Sequence, residues 1–272
     1  MKKFPELLGS FYYCAAFVAI LAWAAHESET SQERRPSSSF FDRVLVKSAV
    51  PFRAEPAAMS SQEAVVPVLL VASDKVGSAQ IPTAVENLNS VMEYAQAWYR
   101  RQLGKTFRLA PTRIVSSKLN AEGWIELSVA SKNDERRFDY HFRAKDELLG
   151  LLPKNPHAKY VAAIFAGIRP DVWWGAADSG EVSVTAPRGS SVFCPAFKDD
   201  DGKSLSPECA DAVYAVAHEL GHFFGLEHTC DHPDGFPKDP RCGESAMQAR
   251  RPPGMILLEG EKAKLRDHPY FN

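Results

Sequence analysis

His218-Glu219-Leu220-Gly221-His222-Phe223-Phe224-Gly225-Leu226-Glu227-His228 is the stretch that decides how this chain is read. Its pattern is H-E-x-x-H-x-x-G-x-x-H. In a helix, His218 and His222 fall one turn apart on the same face. Two imidazoles so placed can hold one zinc ion. Glu219 sits beside the first of them, placed to handle a proton on a water at such a metal. Gly225 can end the helix and turn the chain, since glycine accepts the left-handed conformation that a helix stop uses. His228 can then return as a third ligand. Three protein ligands leave a fourth position open, which marks a catalytic rather than a structural zinc site. The competing reading is an amphipathic core helix with scattered histidines. That reading needs a glycine, about 7% of residues, and a rarer histidine to fall at the right offsets by accident.

The flanking sequence supports a helix. Ser206-Pro207-Glu208 supplies a capping hydroxyl, a proline in the first turn and an acid at the positive end of the dipole. Ala210, Val213, Ala217, Leu220 and Phe224 then recur at helical spacing. The spacing predicts a helix from Pro207 to Phe224.

The eleven-residue motif resembles that of the metzincin zinc metalloproteases. The resemblance implies a methionine turn beneath the metal. Glu244-Ser245-Ala246-Met247 fits it, with Met247 preferred over Met255 because a serine and a small residue precede it. It also implies a closing helix, which Leu257 to Lys262 and the run to Pro269-Tyr270-Phe271 resemble. Some metzincins carry a tyrosine ligand two residues after the methionine; Ala249 stands there, so no such ligand is expected. The implied fold class is α+β. A twisted mixed sheet packs on helices in an N-terminal subdomain with the zinc-binding helix, and a small C-terminal subdomain carries the methionine turn and terminal helix.

The chain has 272 residues, 45% of them hydrophobic, enough for one sizeable core. A net charge of −2 argues against a nucleic-acid partner. Lys2 and Lys3 precede an uncharged stretch from Leu7 to Ala25, and Ala22-Trp23-Ala24 fits a small-x-small cleavage site. Residues 1–25 are read as a cleaved signal peptide. The alternative is an uncleaved signal anchor, since the stretch is long enough to cross a bilayer. A membrane is otherwise not expected as a partner, and either reading puts the metal site outside the cytoplasm. Residues 26–64 read as a linker, stalk or pro-segment, rich in Ser, Glu, Arg and Pro with one apolar cluster, Phe40-Phe41 and Val44-Leu45-Val46. The catalytic domain is placed at 65–272.

Beyond the export segment stand Cys194, Cys209, Cys230 and Cys242. An even count in an exported chain suggests disulfides. Three pairings are possible; Cys194–Cys209 and Cys230–Cys242 are preferred because each closes a short local loop. A second zinc site built from Cys209, Cys230, His232 and Cys242 is disfavoured, because no C-x-x-C pair is present. Pro240-Arg241-Cys242-Gly243 resembles the cysteine switch of some matrix metalloprotease precursors. There the cysteine precedes the catalytic domain; here it follows the zinc helix, so the match is read as coincidence.

In the rest of the domain, Val65 to Val71 reads as a strand, with Pro67 near its start or at a sheet edge. Pro82 opens a helix that Gly104 ends, followed by a strand from Thr106 to Val115 interrupted near Pro111. Phe138 to Leu152 reads as a helix and Tyr160 to Ala166 as a buried strand. Gly180 to Thr185 alternates like an edge strand above a cleft, to which a peptide could add. Asp199-Asp200-Asp201-Gly202 reads as a solvated acidic loop rather than a calcium loop. Trp173 and Trp174 could line a pocket or simply pack.

The function these readings support is an exported zinc endopeptidase. Zinc would be held by His218, His222 and His228, with Glu219 as general base and a peptide or protein as substrate. The alternatives are an amidase acting on cell-wall peptides and a zinc-stabilised binding module without catalysis.

Overall fold

The computed structural model describes residues 63–130, 136, 138–167, 176–177, 182–184, 194–198, 205–230, 238–248 and 254–271. The export segment, the linker up to residue 62, Trp173, Trp174, the acidic loop at Asp199, His232 and Ala249 lie outside the described residues.

Five strands form one sheet in the order β2-β1-β3-β5-β4. They are β1 (Ala64–Val71), β2 (Arg113–Ser116), β3 (Ala158–Phe165), β4 (Ala176–Ala177) and β5 (Val182–Val184). The sheet is mixed: β1–β2, β1–β3 and β3–β5 are parallel, and β4–β5 is antiparallel. The helices are α1 (Ile81–Leu103), α2 (Ala121–Ala130), α3 (Asp139–Leu151), α4 (Pro207–Phe223) and α5 (Glu259–Arg266).

Every residue of β1 is buried, as expected of a central strand covered on both faces. Its side chains alternate between two cores. Val65, Leu69 and Val71 face one way, with Val161, Ala163 and Phe165 of β3, against apolar side chains of α1, α4 and the C-terminal segment. Val66, Val68 and Leu70 face the other way, with Tyr160, Ala162 and Ile164, against Trp124 of α2 and Tyr140, Ala144 and Leu148 of α3. The layers are therefore helices, sheet, helices, with α4 in the first layer.

Two expectations need correction. By sequence, Pro67 marks either the start of the strand's paired portion or a sheet edge; β1 lies between β2 and β3, so the edge alternative falls, while pairing with β2 begins one residue later, at Val68. Val65 accepts from and donates to the chain at Ala110 and Arg108, while the β2 ladder starts only at Val68–Arg113. Pro67 has the same parity as Val65 and sits in the gap between, where the neighbouring chain departs around Pro111. A residue without an N–H leaves no ladder bond unmade there. For the same reason the strand expected over Thr106–Val115 reduces to isolated bridges at Phe107 and Leu109 and the short β2. The second correction concerns Gly180–Thr185. β5 is not the edge among the described strands, because the two-residue β4 pairs with its Ser183 and Val184.

Candidate metal centre

Helix α4 begins as its sequence dictates. Ser206 is the N-cap, its hydroxyl accepting from the Cys209 N–H at 3.2 Å, with Pro207 in the first turn. Its buried face carries Ala212, Val213, Val216, Ala217, Leu220 and Phe223. From α1, the Tyr99 hydroxyl donates to the Ala217 carbonyl at 2.8 Å. Burial, with the Glu261 carboxylate nearby, pushes the Tyr99 phenol well above its ordinary value, so it stays a donor.

The helix stops at Gly225, whose φ is 83°. Gly225 N–H reaches the His222 carbonyl at 3.0 Å and Leu226 N–H reaches that of Gly221 at 2.9 Å, the paired bonds of a Schellman motif. Leu226 is buried beyond the turn, as that motif favours. The chain so reversed brings His228 back beside the helix.

His218, His222 and His228 converge, with one ring nitrogen from each lying within 4.8 Å of the others. His218 Nε2 and His228 Nε2 are 3.3 Å apart. Two nitrogens at zinc-ligand distance and a tetrahedral angle would be separated by about 3.3 Å, so the donor set fits such an ion. The two helical rings are oriented by their other nitrogens. His218 Nδ1–H donates to the Ala246 carbonyl and His222 Nδ1–H to the Leu226 carbonyl, each at 2.8 Å. That fixes the tautomer and leaves Nε2 as the acceptor in both. Burial pushes the His218 imidazole down to about 4 and His222 down as well, so both are neutral and ready to donate a lone pair at neutral pH. Glu219, between them in sequence, is 5% exposed, a carboxylate largely removed from bulk water.

Beneath the helix lies the turn Ser245–Gln248, closed by Gln248 N–H to the Ser245 carbonyl at 3.0 Å. Met247 is fully buried, and its thioether lies against Gly221: a methyl added at Gly221 would overlap Met247 Sδ and come within 3.1 Å of its Cε. Met255 is also buried, but its carbonyl accepts from Trp98 Nε1 instead. Disulfides join Cys194 to Cys209, at the first turn of α4, and Cys230 to Cys242, across the loop that follows His228. With those sulfurs paired, none of the four cysteines is a free thiol for a second zinc site or a cysteine switch.

Three residues that the sequence reading did not single out complete the setting, Gly221, Thr229 and Glu261, and Ser245 joins them from the methionine turn. Only Gly221 lies inside the motif, and nothing in its spacing announces a steric role. Thr229, Ser245 and Glu261 are buried polar side chains in separate segments, brought together only by folding.

Residues 63–255 match the sequence profile of Reprolysin_5, metallo-peptidase family M12. No curated protein matches the chain. Among solved structures it is similar to archaemetzincin from Methanopyrus kandleri, at 18% identity and a TM-score of 0.35, covering 77% of this chain and 89% of that one. It is also similar to a catalytically inactive OgpA from Akkermansia muciniphila in complex with an O-glycopeptide (glycodrosocin) substrate. There the identity is 15% and the TM-score 0.43, over 78% of this chain and 62% of that one. The chain thus spans less than two thirds of the OgpA chain. The profile match covers well over half of the sequence and includes the whole histidine motif and the turn at Met247, so this chain is a metzincin-type metalloprotease of metallo-peptidase family M12.

Proposed function

We propose that the protein is an exported zinc endopeptidase that binds zinc through His218, His222 and His228 and uses Glu219 as general base. The observation that carries this reading is the convergence of three imidazole nitrogens, two with their opposite nitrogens tied to backbone carbonyls. His218, His222 and His228 would hold the zinc, which would supply Lewis acidity toward water and toward a substrate carbonyl. Glu219 takes the proton of the water that attacks the peptide carbonyl carbon, then returns it to the amine nitrogen as the C–N bond breaks. Burial of Glu219 keeps competing solvent away from that carboxylate. Residues 65–272 are the catalytic unit in this reading, with 26–64 a linker or pro-segment and 1–25 the export segment. The two disulfides support a compartment outside the reducing cytoplasm. No helix among the described residues is long and apolar enough to cross a membrane. Leu7–Ala25 therefore remains the candidate anchor if it is not cleaved.

The test is zinc content per chain and cleavage of a mixed peptide library, for the parent and Glu219→Ala. The expected result is about one zinc in both, as three ligands and one open position require, with cleavage by the parent only. Turnover by the variant at the parent rate would remove Glu219 from the chemistry.

A further inference from the structure

One buried carboxylate takes no part in the proposed reaction. Glu261, in the first turn of α5, is 1% exposed. Its Oε1 accepts from the Ser245 hydroxyl at 2.6 Å and from the Thr229 hydroxyl, and its Oε2 accepts from the Leu258 N–H at 2.7 Å. Ser245 Oγ in turn accepts from the Met247 N–H at 2.9 Å and lies 3.1 Å from Thr229 Oγ1. Thr229 and Ser245 are both fully buried.

Three segments distant in sequence therefore end on one side chain. Thr229 directly follows His228. Ser245 directly precedes Ala246, whose carbonyl holds His218 Nδ1, and Met247, which packs against Gly221. Leu258 is the N-cap of α5, and Glu261 lies in its first turn. A carboxylate taken out of water is costly unless donors satisfy it, and apolar contacts could fasten α5 to the core without that cost. What hydrogen bonds add is direction. His228 sits on an exposed stretch, and the buried residues that flank it are Leu226 and Thr229.

We infer that Glu261 is a positioning residue for the metal centre. It fixes His228 through Thr229, and His218 through the Ser245–Met247 turn, and so sets how tightly the site holds its ion. The inference rests on the reading of the three histidines as metal ligands.

The test uses the full chain with Zn(II) and Co(II) as probes, in the parent, Thr229→Val, Thr229→Ser and Glu261→Gln. Zn(II) affinity is measured by competition with a chromophoric chelator, the visible Co(II) bands report ligand geometry, and circular dichroism of the metal-free chains checks the fold. Thr229→Val and Glu261→Gln are expected to weaken Zn(II) by about 10- to 100-fold, the usual cost of losing a partner behind the ligands. Both should shift the Co(II) bands, with Thr229→Ser restoring both readouts. Thr229→Val nearly preserves shape and keeps the test valid should Glu261→Gln fail to fold. Parent affinity and parent Co(II) bands in Thr229→Val would overturn the inference, as would a loss that Thr229→Ser does not restore. A parent that binds no Zn(II) would instead overturn the metal-centre reading beneath it.

Discussion

At the scale of single residues, Gly221 shows how a motif position marked x can still be constrained. Replacing glycine by alanine inside a helix normally gains about 1 kcal/mol. Here the new methyl would overlap Met247 Sδ, and crowding a packed core costs about 1–3 kcal/mol. Crowding wins, so Gly221→Ala is expected to destabilise the metal-free chain by up to about 2 kcal/mol in urea denaturation. In the double variant with Met247→Ala, the methyl enters vacated space, so the pair should couple by about 1 kcal/mol or more. Additivity within about 0.5 kcal/mol would mean the two side chains do not press on each other. The three histidines were legible because their spacing is a local, periodic fact of one helix and its stop. The partners that orient them were not. The Ala246 and Leu226 carbonyls carry no chemical mark in a sequence, and the buried Glu261 looks like any acid in a first helical turn.

Secondary elements divide along the same line between local and distant causes. Both ends of α4 were predictable, because Ser206, Pro207 and Gly225 act within a few residues of themselves. Helix α2 was missed. Asn120 caps it locally, accepting from Gly123 N–H at 2.9 Å, but its first N–H is satisfied by Asp74 Oδ1 at 2.7 Å, from the turn after β1. Gly123 in its first turn further weakens the local signal. The two-residue β4 is too short to leave a pattern at all, which is why β5 read as an edge. The C-terminal stop of α4 offers an element-scale prediction. An alanine at Gly225 would be forced to a φ of 83°, costing about 1–2 kcal/mol. Because the same turn presents the Leu226 carbonyl to His222, Gly225→Ala should lower both the urea midpoint and Zn(II) affinity. Gly225→Asn should do less of each, since asparagine tolerates the left-handed region. A lowered midpoint with parent Zn(II) affinity would show that the turn ends the helix without orienting the ligand.

At the scale of the whole molecule, buried imidazoles on both sides of the sheet tie stability to acid. Helix α3, which packs on the sheet face away from α4, buries His141, which is 4% exposed and whose Nδ1 has no hydrogen-bond partner among the described residues. Burial pushes its imidazole down from 6.5 to about 4. Above the unfolded value of about 6.5 the ring is neutral in both states and contributes no pH dependence. Between about 6.5 and 4 the unfolded chain binds the proton and the folded chain does not, so stability falls as pH falls, by about 1.4 kcal/mol per unit. Below about 4 both states are protonated and the loss saturates. At pH 5 the loss is about 2 kcal/mol, a large share of the 5–15 kcal/mol typical of a folded domain. The His218 ring, also near 4, and the His222 and His268 rings, likewise pushed down by burial, add slopes of the same sign to the metal-free chain, so His141 must be isolated by difference. Asp74 and Glu259, whose carboxyls are held below their ordinary values, act only in more acidic solution, below the window of the measurement. Urea unfolding of the metal-free parent and His141→Gln at pH 7 and pH 5 isolates the buried ring. The parent is expected to lose about 2 kcal/mol more than the variant on acidification. Equal losses in the two proteins would mean that His141 is protonated in the folded state, with solvent reaching the core beneath α3.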